Sequence, residues 1–562
     1  MAVERPRGRR RPVFLAGLAV SIVAATWFGS SWVPRPVARE AAIWALRSIR
    51  IAHGLAWPVA AAGAVGLGAR VVRGRRAGCP RPGSARGLLA FGSTLIGLAG
   101  LDLAALAYQA RAHRVVDRPR IVPDAWAKSA RPADLYLVVL GESSALGEPY
   151  AAWLSVGRIV EWQLRPVFPD RNVRVDVLAE PGATLERAVA RFEVLPRKPD
   201  AVIVYSGHNE VSGRFPLGRA TPHYLDEVTP LDRLSARVAS VSPLDRMLLE
   251  GIDSQGKDGP PRVERRRLVD VPACGPAEFA GLRRDFRARL EALVVGCVRS
   301  GILPILIIPP GNDGGFEPNR SVLDPSTPRA DRESFEREFR AIRAAEEADA
   351  GRARESYRSI LARHPGFAEA HFRLARLLER SGAFDEANRH YILARDLDGL
   401  PIRCTTDLED GYRAASTRGD CILIDGPAVL RKATRHGILD GRVLHDAQHP
   451  TLIGHVALAG EILARLKARG AFGWPPDRPA PALDPAECAA HFGMDPLKWA
   501  YVCYYSQVMY LGSCGLRFED AERREAARRY AAAIQFMVRR VPPEKLGLLG
   551  DGVIPGVTST PR

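Results

Sequence analysis

None of the eight cysteines in this 562-residue chain pairs with another as Cys-x-x-Cys, which argues against a zinc site. The first 120 residues lack lysine altogether and hold only four acids (Glu4, Glu40, Asp102 and Asp117) against 19 arginines. That stretch carries +15 of the net charge of +17 and leaves about +2 for the other 442 residues. The basic excess lies in the segment that also holds the long apolar runs. This is the pattern of membrane topology and not of a phosphate-binding surface, so no nucleic-acid partner is expected. The apolar fraction of 46% excludes global disorder. The length implies three or four units.

Residues 13–33 carry no charge, residues 51–69 are interrupted only by His53 and Pro58, and residues 87–110 hold one acid, Asp102. Each run is long enough for an apolar helix to span a bilayer, so residues 1–111 are expected to form a region of three transmembrane helices. Arginines cluster before the first run (Arg5, Arg7, Arg9, Arg10, Arg11) and between the second and third (Arg73, Arg75, Arg76, Arg81, Arg86). Such clusters stay cytoplasmic, which places everything after residue 111 outside, facing the periplasm if the membrane is a bacterial inner one. Arg35, Arg39, Arg47 and Arg50 oppose this orientation unless residues 41–51 lie as an interfacial helix. Asp102 has no ionisable partner in sight and reads as a packing residue. On the outer side, disulfides Cys404–Cys421 or Cys503–Cys514 are permitted, with isolated buried thiols as the alternative.

Beyond an Arg- and Pro-rich linker at 112–133, continuous apolar runs end in small or polar residues: 135–140 before Gly141, 173–178 before Pro181-Gly182, 201–205 before Ser206-Gly207, 305–308 before Pro309-Pro310-Gly311, and 422–424 before Asp425-Gly426. Helical patterns lie between them, at 155–164, 185–192 and 278–299. Alternation of doubly buried strands with helices implies an α/β, doubly wound parallel sheet, with its reactive loops beyond the C-terminal strand ends. The sheet is expected in two parts, 134–329 and 400–470.

Between them, at 330–399, the sequence repeats at a spacing of 34: Ala353 matches Ala387, Tyr357 matches Tyr391, and Pro365 matches Gly399. Leu374, Ala375, Leu378, Gly382, Ala387, Tyr391 and Ala394 resemble one tetratricopeptide helix pair, and residues 334–364 resemble a more degenerate second pair. At about two repeats the insert is expected to lean on neighbouring elements. Residues 471–562 form a Pro-rich stretch followed by a helical extension, with helices near 496–511 and 518–538.

Ser143 ends the first strand in Gly141-Glu142-Ser143-Ser144-Ala145-Leu146-Gly147. The later loops carry Glu180-Pro181-Gly182-Ala183-Thr184, then Gly207-His208-Asn209-Glu210, then Asp446-Ala447-Gln448-His449-Pro450 before Gly454-His455. These four blocks in this order resemble the SGNH/GDSL hydrolase family over about 134–320 and 400–468. The resemblance implies a flavodoxin-like α/β/α sandwich and a serine esterase. Ser143 would be its nucleophile, His449 its base and Asp446 the group that orients the base. Backbone N–H groups of Ser143 and Gly182 and the side-chain amide of Asn209 would form the oxyanion hole. No metal or cofactor is implied.

Glu142 stands where the family more often has Asp, the second block lacks an upstream Asn, and Gly-His-Asn-Glu replaces the commoner Gly-x-Asn-Asp. None of these changes removes a catalytic atom. Each residue also has a plain structural role open to it: Gly182 in a turn, Asn209 or Asp446 as a helix cap, and His455 packed on the last helix, with His208 nearer the cleft. The implied substrates are carboxylic esters, such as O-acetyl groups of envelope glycans. An O-acyltransferase running through the same acyl-enzyme, and a non-catalytic tetratricopeptide scaffold that binds a protein partner, are the alternatives.

Overall fold

The computed structural model describes residues 56, 59–72, 90, 92–104, 134–151, 153–215, 244 and 266–541. The chain divides into two compact units, residues 1–118 with 225–261, and residues 119–224 with 262–562.

In the first unit, helical residues run over 59–72 and 92–104, overlapping the second and third expected spans. The 13–33 run, the 41–51 stretch and the 112–133 linker lie outside the described residues. Among the described residues no helix is long and apolar enough to cross a membrane. Asp102 has a backbone partner: its Oδ1 accepts the Leu244 N–H at 3.1 Å.

The second unit is a mixed α/β body. Its elements are β1 (Asp134–Gly141), α1 (Ser143–Leu146), α2 (Val156–Val167), β2 (Asn172–Ala179), α3 (Leu185–Glu193), β3 (Ala201–Tyr205), α4 (Pro276–Arg299) and β4 (Leu303–Ile308). Next come α5 (Arg329–Ala345), α6 (Ala350–Arg363), α7 (Ala368–Arg380), α8 (Phe384–Asp396), α9 (Thr406–Ser416), β5 (Ile422–Asp425) and α10 (Gly426–Arg431). The chain continues through α11 (Leu452–Ala468), α12 (Pro485–His491), α13 (Pro496–Ser513) and α14 (Ala521–Val538).

The five strands form one sheet in the order β2-β1-β3-β4-β5, every pairing parallel. The apolar runs are continuous because both faces are covered. Leu135, Leu137 and Val139 pack with α2 and α11 on one face. Tyr136, Val138 and Leu140 pack with α3, α4 and α9 on the other. Each fully buried aliphatic side chain contributes about 1.5–3 kcal/mol by leaving water. The chain leaves β1 for β2 on one side and returns to β3 on the other. The strand order therefore reverses beside β1, the place at which doubly wound sheets gather their functional loops.

Gly141 closes β1, and a Cβ there would lie 2.0 Å from the Tyr205 carbonyl oxygen. Only glycine lets the chain turn into α1 at this point. Gly147, at φ +105°, ends α1 and donates its N–H to the Ser143 carbonyl.

Helices α5–α8 build a separate apolar cluster around Phe335, Phe339, Tyr357, Phe367, Phe372 and Tyr391, joined by Leu268, Leu323 and Ile438 from outside the helices. Helix α7 is buried on nearly every side from Ala368 to Leu378, including Glu369 and Arg373. Its charges are met by the C-terminal extension. Arg373 reaches Glu369 at 2.8 Å and Glu522 at 2.5 Å, and Arg517 reaches Glu369 at 3.1 Å. Glu317, from the loop after β4, is shared by Arg523 at 3.3 Å and Arg517 at 3.8 Å. The insert is thus clamped between the α/β layer and α14. All seven described cysteines are free thiols, so neither Cys404–Cys421 nor Cys503–Cys514 is bridged.

Candidate active site

Four strand ends and the segment after β5 deliver the polar residues. Ser143 begins α1 directly after β1. Gly182 follows β2, at φ +74° and open on its Cβ side. His208 and Asn209 follow β3, and Asn312 follows β4. Asp446 and His449 precede α11, whose N-cap is Thr451, its hydroxyl accepting the Gly454 N–H. Asp446 is therefore not the cap of that helix.

Ser143, His449 and Asp446 form one hydrogen-bonded file. His449 Nε2 lies 2.8 Å from Ser143 Oγ. His449 Nδ1 lies 2.8 Å from Asp446 Oδ2 and 3.0 Å from Oδ1. Asp446 Oδ1 also accepts the backbone N–H groups of Gln448 (3.0 Å) and His449 (3.1 Å). Burial alone would raise the Asp446 carboxyl, but the His449 ring beside it and these donors hold it below the ordinary carboxylate range. An ionised Asp446 accepts from Nδ1–H, which leaves the Nε2 lone pair for the Ser143 hydroxyl proton. Ser143 is 3% exposed and His449 1%.

The loops are tied to one another. The Ser144 hydroxyl donates to the Gln448 carbonyl at 3.0 Å across 304 residues of sequence. Glu142 accepts the backbone N–H groups of Gly207 (3.1 Å), His208 (2.9 Å) and Asn209 (3.1 Å). Burial, partly offset by those donors, pushes its carboxyl up to about 8. Glu210 accepts the Leu185 N–H at 2.7 Å, and the Asn209 amide donates to the Ala183 carbonyl at 3.3 Å. Glu142 and Glu210 thus tie the loops after β1, β2 and β3 to one another.

On the far side, Asn312 binds the Asp446 carbonyl with its amide (2.8 Å) and the Ala447 carbonyl with its backbone N–H (2.9 Å). Arg403 in turn holds the Asn312 and Phe316 carbonyls. The strand-end rule that singles out the other loops applies equally to Asn312 after β4. Nothing in the sequence marks Tyr505 of α13, whose ring meets His449 edge-on at 5.6 Å.

His208 and His455 are structural supports. His208 Nδ1 accepts the Cys404 N–H at 3.0 Å, and burial pushes its pKa down to about 3. His455 lies wholly inside the core, 5.7 Å from the Tyr150 ring, and neither of its ring nitrogens has a hydrogen-bond partner among the described residues. Among the described residues no cluster of His, Cys, Asp or Glu could hold a metal ion.

A family model described as a tetratricopeptide repeat matches residues 344–396. The match covers α6, α7 and α8 with the turn before them, and so assigns repeat character to the helical insert. No curated protein and no solved structure matches the chain.

The buried His455 ring makes a measurable prediction. Burial, with His445 and His449 nearby, lowers its pKa from 6.5 to about 3. A depressed folded-state pKa means that the unfolded chain binds the extra proton. The stability this ring contributes is fully present above about pH 6.5 and is lost as the pH falls toward 3. His455→Leu is expected to remove about 1.4 kcal/mol per pH unit from the acid slope of unfolding free energy between pH 6 and 4. Urea unfolding at several pH values reads this directly. Parallel slopes for the two proteins would show that the ring is already charged or hydrated in the folded state.

Proposed function

We propose that the chain is a membrane-anchored serine ester hydrolase of the SGNH/GDSL type. The reading is carried by the file Ser143–His449–Asp446, with both links at 2.8 Å. The sheet order, with the four residue blocks at its C-terminal ends, is in keeping with that family's flavodoxin-like sandwich.

In this reading Ser143 Oγ attacks the ester carbonyl carbon while its proton passes to His449 Nε2. The resulting imidazolium is stabilised by Asp446. The oxyanion is met by the N–H groups of Ser143 and Gly182 and the Asn209 amide, and each such donor is worth about 3 kcal/mol in the transition state. His449 then protonates the leaving alcohol. It next takes a proton from water as the water oxygen attacks the acyl carbon, and it returns that proton to Ser143 Oγ as the carbon–Oγ bond breaks and the acid leaves.

The near-complete burial of Ser143 and His449 favours a second outcome for the same intermediate. Excluding water from the acyl-enzyme lets a bound hydroxyl accept the acyl group, as in an O-acyltransferase. Membrane anchoring is supported by exposed Val65, Ile96, Leu101 and Leu103 on the helical runs 59–72 and 92–104, together with the arginine asymmetry of the N-terminal segment. On that topology the catalytic unit faces away from the cytoplasm. The repeat insert is suited to a protein partner only along the outer faces of its helices, because α7 is covered.

The test uses the full chain in detergent and a serine-reactive fluorophosphonate. One label is expected, mapping to Ser143 by mass, with hydrolysis of a short-chain aryl ester. Ser143→Ala should lose both. A folded sample that takes no label would leave the scaffold reading in its place.

A further inference from the structure

The loop that carries Asp446 and His449 is tight. It is closed by the His445 N–H on the His449 carbonyl at 2.8 Å and by the Thr451 N–H on the Val443 carbonyl at 2.9 Å. The nucleophile turn runs on from Ser143 to Tyr150, whose N–H donates to the Gly147 carbonyl at 2.7 Å. Tyr150 is fully buried, and its phenol oxygen meets the loop at both flanks. It accepts the Leu452 N–H at 3.1 Å and lies 2.7 Å from His445 Nε2. On the other side of that ring, His445 Nδ1 lies 3.2 Å from the phenol oxygen of Tyr530 in α14. Tyr530 in turn donates to the His445 carbonyl at 2.8 Å. Trp499 of α13 meets the Tyr150 ring edge-on at 5.9 Å.

These bonds allow one placement of protons. The Leu452 N–H can only donate, so the Tyr150 hydroxyl proton goes to His445 Nε2. Nε2 therefore offers its lone pair, and the neutral ring carries its proton on Nδ1, where Tyr530 accepts it. Tyr530 gives its own proton to the His445 carbonyl. A proton on Nε2 would instead leave the buried Tyr150 hydroxyl proton without an acceptor. We propose that Tyr150, His445 and Tyr530 are positioning residues, a hydrogen-bonded chain that holds the Asp446–His449 loop in register with Ser143 and makes the C-terminal extension part of the esterase machinery. The inference rests on the hydrolase reading. One rigid, buried phenol ties both flanks of the loop to the nucleophile turn, so the 2.8 Å between His449 Nε2 and Ser143 Oγ depends on it. Tyr530 fixes the ring that the phenol holds, and it comes from α14, beyond the α/β layer.

Tyr150→Phe keeps the ring and removes the oxygen. In the full chain in detergent, its kcat on an aryl acetate is expected to fall about 10–100-fold with KM within about twofold of wild type. Fluorophosphonate labelling should slow by a similar factor and still reach one label per chain, because the hydroxyl is present and its base is displaced. Tyr530→Phe should lower kcat by less, and the double variant should lose little more than Tyr150→Phe alone, since both break one chain. His445→Gln offers one acceptor and one donor and should keep kcat within about fivefold, whereas His445→Leu should match Tyr150→Phe. Circular dichroism checks folding, and if Tyr150→Phe does not fold, Tyr530→Phe and the two His445 variants decide. A folded Tyr150→Phe that melts earlier but keeps its kcat and labelling rate would make the phenol a packing group and overturn the role. Equal losses in the two His445 variants would overturn it as well. In either case normal labelling of wild type leaves the hydrolase standing. No labelling of wild type would overturn the hydrolase reading and the positioning role together.

Discussion

Asp446→Asn is expected to lower kcat for ester hydrolysis by about 10⁴-fold while leaving the protein folded. The asparagine oxygen can keep the bonds that Oδ1 makes to the backbone N–H groups of Gln448 and His449, so the loop holds its shape. The amide nitrogen that replaces Oδ2 cannot accept from Nδ1–H. The imidazole then carries its proton on Nε2 and presents a donor to Ser143 where it had presented a lone pair. The base is still at 2.8 Å but in the wrong tautomer. Initial rates on an aryl acetate, with circular dichroism as the folding control, measure the effect. A loss below about tenfold would remove Asp446 from the reaction.

The second large effect concerns stability. Glu317→Ala is expected to lower the unfolding free energy by about 3–5 kcal/mol. Glu317 is 4% exposed, and Arg523 and Arg517 beside it are equally buried. Burial raises its carboxyl, yet the two guanidinium groups outweigh that and hold it far below the usual carboxylate range. Removing the carboxylate strands the Arg523 charge away from water and leaves Arg517 to Glu369 alone. Arg523 keeps the Glu317 and Ser513 carbonyls and its seat on the Phe316 ring at 4.1 Å, but these are dipoles and quadrupoles and not a counter-charge. Glu522→Ala is the comparison. That carboxylate is 30% exposed, and Arg373 keeps Glu369, so its loss should cost distinctly less. Urea denaturation of the two variants side by side checks the order, and equal losses would mean that Glu317 is solvated in the folded state.

The strands were legible because each is a short apolar run bounded by turn residues, and the four blocks because a doubly wound sheet has one reactive end. The repeat insert was legible from its 34-residue period. The clamp around it was not. Glu369, Arg373 and Arg523 sit in helices rich in Arg and Glu, and Arg517 in the turn before α14, so all four read as solvent-facing residues, whereas each is almost fully buried against a partner far away in sequence. Tyr505 escaped for the same reason, since its meaning depends on α13 crossing a loop more than 50 residues earlier in the chain. The open choice between disulfides and thiols was beyond sequence because pairing is set by distance. The first expected span lies outside the described residues.

Ser143 and His449 are 306 residues apart, with the repeat insert threaded between them. At translation rates of about 5–20 residues per second, a nascent chain exposes the hydroxyl roughly 15–60 seconds before the imidazole emerges. For that interval the reactive group is an ordinary alcohol. On the hydrolase reading, the two groups meet only once the segment before α11 has been made, so a chain that stalls inside the repeat insert has no base for its alcohol.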